Sequence, residues 1–206
     1  MKKIELLSPA GDFECLKAAV QNGANAVYLG SSEFNARYSA KNFNLEELEQ
    51  AINYAHLRNV KVFLTLNTLI KNNELEAAIN LATKAYEFGI DGIILQDIGL
   101  SNILLNQLPD LPIHASTQMT CHNLSGAKVL EKAGFKRIVL SRELSTADIQ
   151  HIKSNTSCEI EVFTHGALCI SYSGQCLYSS LIGGRSGNRG KCAQGCRLPY
   201  TLMENN

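Results

Sequence analysis

The chain is expected to be an α/β protein with the architecture of a TIM-type (β/α) barrel. Short apolar runs alternate with amphipathic helical stretches seven times along the sequence, and such alternation requires parallel strands joined by helical crossovers. The runs are nearly continuously apolar, as in strands buried on both faces. The period is roughly 25–30 residues and no GxGxxG follows the first strand, which favours a barrel over a doubly wound open sheet.

The elements follow in order. Lys3–Ser8 reads as the first strand, and a helix from Phe13 to Asn22 stops at Gly23. Ala26–Gly30 is the second strand. After a long connection, Asn44 caps the next helix with Glu47 three residues on, a capping-box pattern. Lys61–Leu66 is the third strand, followed by a helix over Asn73–Phe88 that ends at Gly89. Gly92–Gln96 and a short helix over Ser101–Leu108 come next, then Ile113–Ser116 and a helix over Ser125–Ala133 closed by Gly134. Arg137–Leu140 is the sixth strand, Ser145–Ser154 its capped helix, and Glu159–Phe163 the seventh strand. A barrel closes with eight strands. Only Tyr200–Met203 could begin another, so the closing strand is expected to be missing or truncated. Residues 1–206 are read as a single barrel domain, the N-terminal part of a longer protein.

Composition narrows the setting. Hydrophobic content is 45%, charged content 18% and the formal net charge zero, so no whole-molecule basic field points to nucleic acid, although a local patch is compatible. The N-terminus lacks a signal-peptide core, and no run approaches the ~18 apolar residues of a membrane span. A cytoplasmic protein with no membrane partner is expected. In a reducing compartment the seven cysteines are better read as ligands, catalysts or buried thiols than as disulfides.

A barrel carries its functional residues just after each strand. Those positions hold Ser8 and Asp12; Asn35, Arg37 and Asn42; Asn67; Gln96 and Asp97; His114, Ser116, Thr117, Gln118 and His122; Arg142 and Glu143; and Glu161, His165 and Cys169. Of these, Asn35, Arg37, Asn67 and Gln118 are the candidate substrate contacts on the rim. A cysteine-rich rim insertion over about 164–197 is the densest stretch. It holds Cys169, Cys176, Cys192 and Cys196, separated by six, fifteen and three residues. Four thiolates suit an iron–sulfur cluster or zinc. The spacing matches neither paired CxxC zinc knuckles nor a ferredoxin run, which leaves iron–sulfur, zinc and unligated thiols open. Cys15 is expected in the core; Cys121 and Cys158 receive no role. Glu161 and His165 are candidates for acid–base work or metal ligation. Glu161 reads equally as a barrel-interior carboxylate paired with a basic rim residue such as Arg142. The loop Gly183–Lys191 joins mobile glycines to Arg185, Arg189 and Lys191, a combination suited to phosphate or carboxylate. Its ending is not that of a P-loop.

These residues resemble the peptidase U32 family. The resemblance rests on Glu161-x-Phe163-x-x-Gly166-Ala167-Leu168-Cys169 followed by Gly174-x-Cys176 and Ser179, with LLSPAGDFE, NARYSAKNF, LNTLIKN, LQDIG, HASTQMT and SREL as further matches across nearly the whole chain. Tyr178 departs from the aliphatic residue expected there. The family is named for collagen-degrading, peptidase activity, yet the sequence shows neither HExxH nor GxSxG. Other members resemble proteins that hydroxylate tRNA wobble uridine, a ribosomal RNA cytidine or quinone precursors. The resemblance implies a four-iron four-sulfur cluster on Cys169, Cys176 and Cys192, with Cys196 or a cysteine beyond Asn206 as fourth ligand, and prephenate as hydroxyl source. The expected function is tRNA hydroxylation, with Glu161, His165, Arg142 and His114 lining the catalytic pocket and Arg185 and Arg189 contacting phosphate or a prephenate-like carboxylate. A collagenase-like endopeptidase acting on peptide is the first alternative, and a non-catalytic partner subunit the second.

Overall fold

The computed structural model describes residues 4–37, 41–172 and 175–203. Lys3 of the first expected strand, Tyr38–Ala40 of the NARYSAKNF stretch and Gly174 of the signature lie outside the described residues. Seven parallel strands form one sheet in sequential order: β1 Leu7–Ala10, β2 Ala26–Gly30, β3 Lys61–Leu66, β4 Gly92–Leu95, β5 Ile113–Ala115, β6 Arg137–Val139 and β7 Glu159–Glu161. The sheet curls into a half-barrel with the helices between its strands. The helices are α1 Phe13–Gln21, α2 Leu45–His56, α3 Leu75–Glu87, α4 Ile98–Gln107, α5 Leu124–Lys132, α6 Thr146–Asn155 and α7 Tyr178–Gly183. None is long and apolar enough to cross a membrane among the described residues.

The period of two along each strand separates two cores. Outward residues such as Val27, Leu29, Val62, Leu64, Leu66, Ile93, Leu95, Ile113 and Ile138 pack against the helices in the main core. Inward, Ala26, Phe63 and Ile94 form a smaller cluster with Leu7 and Tyr28. Burial of the outward set drives the fold, at about 25 cal/mol per Å² of apolar surface.

Local signals set most of the boundaries. Asn44 and Ser145 accept from the N3 backbone in true capping boxes, and Gly23, Gly89 and Gly134 take positive φ after α1, α3 and α5. Four expectations shift. β1 runs from Leu7 through Pro9 because it is an edge strand, where a missing N–H breaks no ladder. α4 starts at Ile98, capped by the Asp97 carboxylate, which accepts from Leu100 N at 2.8 Å. The paired part of the seventh strand stops at Glu161. Cys15 is exposed on α1, and its neighbour Leu16 is the fully buried residue.

Candidate functional site at the barrel mouth

The half of the barrel interior at the strands' N-terminal ends is filled by an ionic cluster. Arg137, inward on β6 with its side chain 8% exposed, donates to Glu5 at 2.7 Å, to Glu159 at 2.6 and 2.9 Å, and to Glu161 at 3.4 Å. Its guanidinium also lies 5.1 Å from the Phe63 ring centroid, a cation–π contact. Burial pushes the Glu161 carboxyl above its ordinary range, against the opposing pull of Arg137. At Glu159 burial also works upward, but the Arg137 bonds and charge outweigh it and the net shift is downward. Glu161 is therefore the interior carboxylate, and its partner is Arg137.

His114, the candidate from β5, sits in the same cavity at 2% exposure, its ring 4.7 Å from that of Phe63. Burial, followed by the Arg137 charge, lowers its pKa to about 3, so it is neutral at ordinary pH. Its Nδ1 has no hydrogen-bond partner among the described residues. Tyr28 points inward from β2; burial raises its pKa, opposed by Arg37 and reinforced by Glu161. Tyr28 and Arg137 were not singled out in the sequence. Their signal was alternation: Glu159 and Glu161 share one face of β7, and a paired cation had to meet them.

The mouth, at the C-terminal ends of the strands, is organised by amides. Asn35 is buried and accepts from Arg37 N at 2.7 Å while donating to Ser31 O. A Cβ at Gly30 would lie 2.9 Å from both Asn35 Cγ and Asn42 Oδ1, so glycine is required for that approach. Asn67 Oδ1 accepts from Ala36 N at 2.8 Å. Gln96 Nε2 donates to Asn67 O at 2.8 Å and to Gln118 Oε1 at 2.7 Å. Gln175 Nε2 reaches Gln118 O at 3.4 Å and Thr120 Oγ1 at 3.3 Å. The amides thus join the loops after β2, β3, β4 and β5 to the cysteine-bearing segment. Phe34, Asn42 and Thr120 in these loops hold positive φ, and strain of this kind collects where a site over-determines the backbone.

The cysteine-bearing lobe, residues 162–203, covers this mouth. Arg189 docks it: the guanidinium donates to Leu69 O at 2.7 Å and forms a two-pronged pair with Glu74. That bond holds the Glu74 carboxyl at about 2. Asn188 Oδ1 accepts from Leu69 N at 3.3 Å, and an open cleft of about 420 Å³ lies between Leu69–Lys71 and Ser186–Arg189. The lobe carries Arg185, Arg189, Lys191 and Arg197 and no Asp or Glu, whereas residues 1–161 hold 15 Lys or Arg against 18 Asp or Glu. A chain of zero net charge thus places +4 on the lobe and −3 on the barrel.

Cys169, Cys192 and Cys196 are exposed and Cys176 is half-buried. Among the described residues no three Cys, His, Asp or Glu side chains converge on a point that could hold a metal. A Cβ at Gly187 would lie 3.6 Å from Cys176 O and 3.7 Å from Cys192 Cβ, so Gly187 sits beside both residues. Arg197 donates to Leu168 O at 2.9 Å, tying the neighbours of Cys196 and Cys169 together. The buried Ser179 hydroxyl fixes the Cys192 turn by accepting from Ala193 N at 3.0 Å. Tyr178, the departure noted above, sets its ring edge against Gly195 and bonds Tyr200 Oη at 2.9 Å. The donor set has the softness an iron–sulfur centre needs.

The remaining candidates separate. His165 is exposed on the lobe and shares no hydrogen bond or ion pair with Glu161 among the described residues. Arg142 lies 5.8 Å from the Phe163 ring centroid, and Arg185 donates Nε to Lys191 O at 3.2 Å. His122 meets Tyr172 edge-on at 5.2 Å. Cys121 and Cys158 are buried, with thiols that burial pushes up.

Known proteins place this arrangement. The chain is 45% identical over 202 residues to the 23S rRNA 5-hydroxycytidine C2501 synthase of Escherichia coli K12, covering 98% of this chain and 30% of that protein. It is 42% identical over 208 residues to tRNA hydroxylation protein P of Helicobacter pylori 26695, covering all of this chain and 49% of that one. The chain therefore spans at most about half of these relatives. Among solved structures, the U32 peptidase Mk0906 superposes with a TM-score of 0.66 at 17% identity, over 78% of this chain and 68% of its own, which shows a shared fold. The description Peptidase family U32 matches residues 11–206, and the chain belongs to that family.

Proposed function

We propose that the protein hydroxylates a pyrimidine of RNA, binding the base at the amide-lined mouth and the phosphates along the lobe. One observation carries this reading: an acid-free lobe of charge +4 covers a rim of neutral amides. Phosphates are met by cations and neutral base edges by amides, so the two surfaces divide the task as RNA recognition does. The relatives named for rRNA and tRNA hydroxylation support the same reading. A tRNA wobble uridine is the finer target proposed, with prephenate as hydroxyl source.

Cys169, Cys176, Cys192 and Cys196 are the residues proposed to hold an iron–sulfur cluster, which would supply one-electron chemistry beside the mouth. The chain's own residues do the rest. Arg185 and Lys191 meet phosphate, while Arg189 holds the lobe on Glu74. Arg137 keeps Glu161 and Glu159 in place beneath the mouth. Burial raises the Glu161 pKa against the pull of Arg137 and its charge acts on Tyr28, so Glu161 is the carboxylate proposed for acid–base work.

The test has two arms. Protein purified without oxygen is assayed for iron and acid-labile sulfide, and total RNA from cells with and without the gene is digested and its hydroxylated pyrimidines measured. About four irons per chain and loss of one hydroxylated nucleoside are expected. Unchanged nucleosides would remove the RNA assignment. Cleavage of denatured collagen by iron-free protein would establish the endopeptidase reading in its place.

A further inference from the structure

The amides at the mouth fix one another's orientation. Gln96 Nε2 lies 2.8 Å from the Asn67 backbone carbonyl, which can only accept, so that end of the Gln96 amide is its NH2 group. The same nitrogen lies 2.7 Å from Gln118, so Gln118 presents its oxygen there. One backbone carbonyl therefore sets the flip of two side chains. Both Gln96 hydrogens are used. One acceptor, Gln96 Oε1, and one donor group, Gln118 Nε2, are left without a partner among the described residues.

The position of this pair is equally constrained. Gln96 is 7% exposed and follows inward-facing Ile94 by two residues, which puts it at the mouth of the barrel. Gln118 is held from its backbone as well, through Gln175 at 3.4 Å. Neither open atom is sealed from solvent among the described residues, so both stand where a ligand entering the mouth can bond them. The open pair is one acceptor and one donor, so a ligand that completes it presents a donor and an acceptor in return.

We propose that Gln96 and Gln118 grip the Watson–Crick edge of an unpaired pyrimidine. Uracil gives N3–H to Gln96 Oε1 and takes Gln118 Nε2–H on O4; cytosine uses N4–H and N3 for the same two atoms. A base held by this edge cannot be paired with another strand. The substrate class is thus a pyrimidine in an RNA loop or one flipped out of a stem. Holding N3 and the C4 substituent leaves the neighbouring C5 position uncovered. The proposal rests on the RNA-modification reading and specifies which part of the base the protein reads.

Gln118→Glu is the discriminating variant, since it keeps the oxygen that Gln96 bonds and replaces the Nε2 donor with an acceptor. Binding of the full chain is measured to short RNA hairpins that differ at one position. That position holds a loop uridine, an abasic residue, an N3-methyluridine, or a uridine paired in the stem. The wild type is expected to bind the loop uridine about tenfold more tightly than the other three. Gln118→Glu should bind the abasic hairpin as the wild type does and lose the preference. Retention of the preference in Gln118→Glu, absence of any preference in the wild type, or equal binding of the N3-methyluridine hairpin overturns the proposal while leaving RNA binding intact. If Gln118→Glu fails to fold, the N3-methyluridine comparison on the wild type decides alone. No binding to any hairpin would sink the RNA reading itself, and this proposal with it.

Discussion

Replacing Arg137 with Met tests the ionic cluster most directly. The methionine keeps an apolar stem over the Phe63 ring and removes every bond to Glu5, Glu159 and Glu161. Glu161, with its side chain 17% exposed, would be left as a buried carboxylate without a cation, at a cost of about 3–5 kcal/mol. Glu159 and Glu5, at 46% and 27% exposed, retain water and add little. That loss is a large part of the ~5–15 kcal/mol a domain has. The penalty should also depend on pH. Burial already raises the Glu161 pKa and Arg137 opposes the rise, so the variant's carboxyl moves further up. The native variant then holds a proton that the unfolded carboxyl, at its ordinary 4.5, has released. Stability therefore falls as pH rises above that value, by up to about 1.4 kcal/mol per pH unit, until the raised pKa is passed. Urea unfolding followed by circular dichroism, at pH values from about 5 to 8, measures this. A loss below about 1 kcal/mol, or one that is the same at every pH, would refute the account of Arg137 as the charge that keeps these carboxylates inside.

Three further outcomes are expected. His114, neutral with a pKa of about 3, must gain a proton on acid unfolding; its contribution is complete above its ordinary 6.5 and is lost as pH falls. His114→Phe should therefore gain on the wild type by about 2 kcal/mol between pH 7 and 5, read from urea midpoints. Glu74→Gln removes the Arg189 dock, and trypsin should cut at Arg185, Arg189 and Lys191 several-fold faster while the barrel stays folded. Because Arg189 depresses the Glu74 pKa to about 2, the wild-type dock is present above about pH 4.5 and is lost only as pH falls toward 2, which hydrogen exchange of residues 186–191 would show. Gly195→Ala puts a Cβ 2.5 Å from Tyr178 Cε1 and should loosen the lobe by about 1–3 kcal/mol. The double change with Tyr178→Leu should restore it, as judged by protease resistance.

The sequence was most legible where local chemistry alone decides the outcome. The capping boxes at Asn44 and Ser145 and the glycine stops after α1, α3 and α5 are settled by groups three or four residues apart. The parallel order followed from the alternation, because crossovers leave few topologies. Pro9 misled because its effect depends on whether the strand has a neighbour on its N–H side. Asp97 was read as a rim group because a capping carboxylate and a functional one look alike until the helix start is known. Arg137 was missed for a different reason. A single cation at a strand's first position reads as solvated, and only the register opposite Glu159, with Glu5 arriving from 132 residues away, reveals it as buried. The shared face of Glu159 and Glu161 signals that a cation is needed, but nothing local says which one supplies it. The bond from Arg197 to Leu168 O, which joins two parts of the cysteine-bearing lobe, is invisible for the same reason.

The division of the barrel interior has a consequence for where chemistry can occur. Arg137, its three carboxylates and the neutral His114 fill the strands' N-terminal half, and Phe63, Ile94 and Tyr28 belong to the small inward apolar cluster beside them. The polar amides stand instead at the mouth. There the lobe is fastened by Arg189 to the loop after β3 and by Gln175 to the loop after β5. Gln96, from the loop after β4, lies between them and bonds to both neighbouring loops. The lobe thus straddles the amide pair, and any group bound at Gln96 and Gln118 must lie beside the segment that carries the cysteines. On the proposed RNA reading, the +4 carried by these 42 residues lies where a polyanion would pass to bring one base to the rim. It also separates two kinds of damage. Loss of the Arg189 dock should weaken the approach of every RNA alike, because it displaces the cationic surface. Loss of the Gln118 donor should spare that approach and erase only the distinction between one base and none.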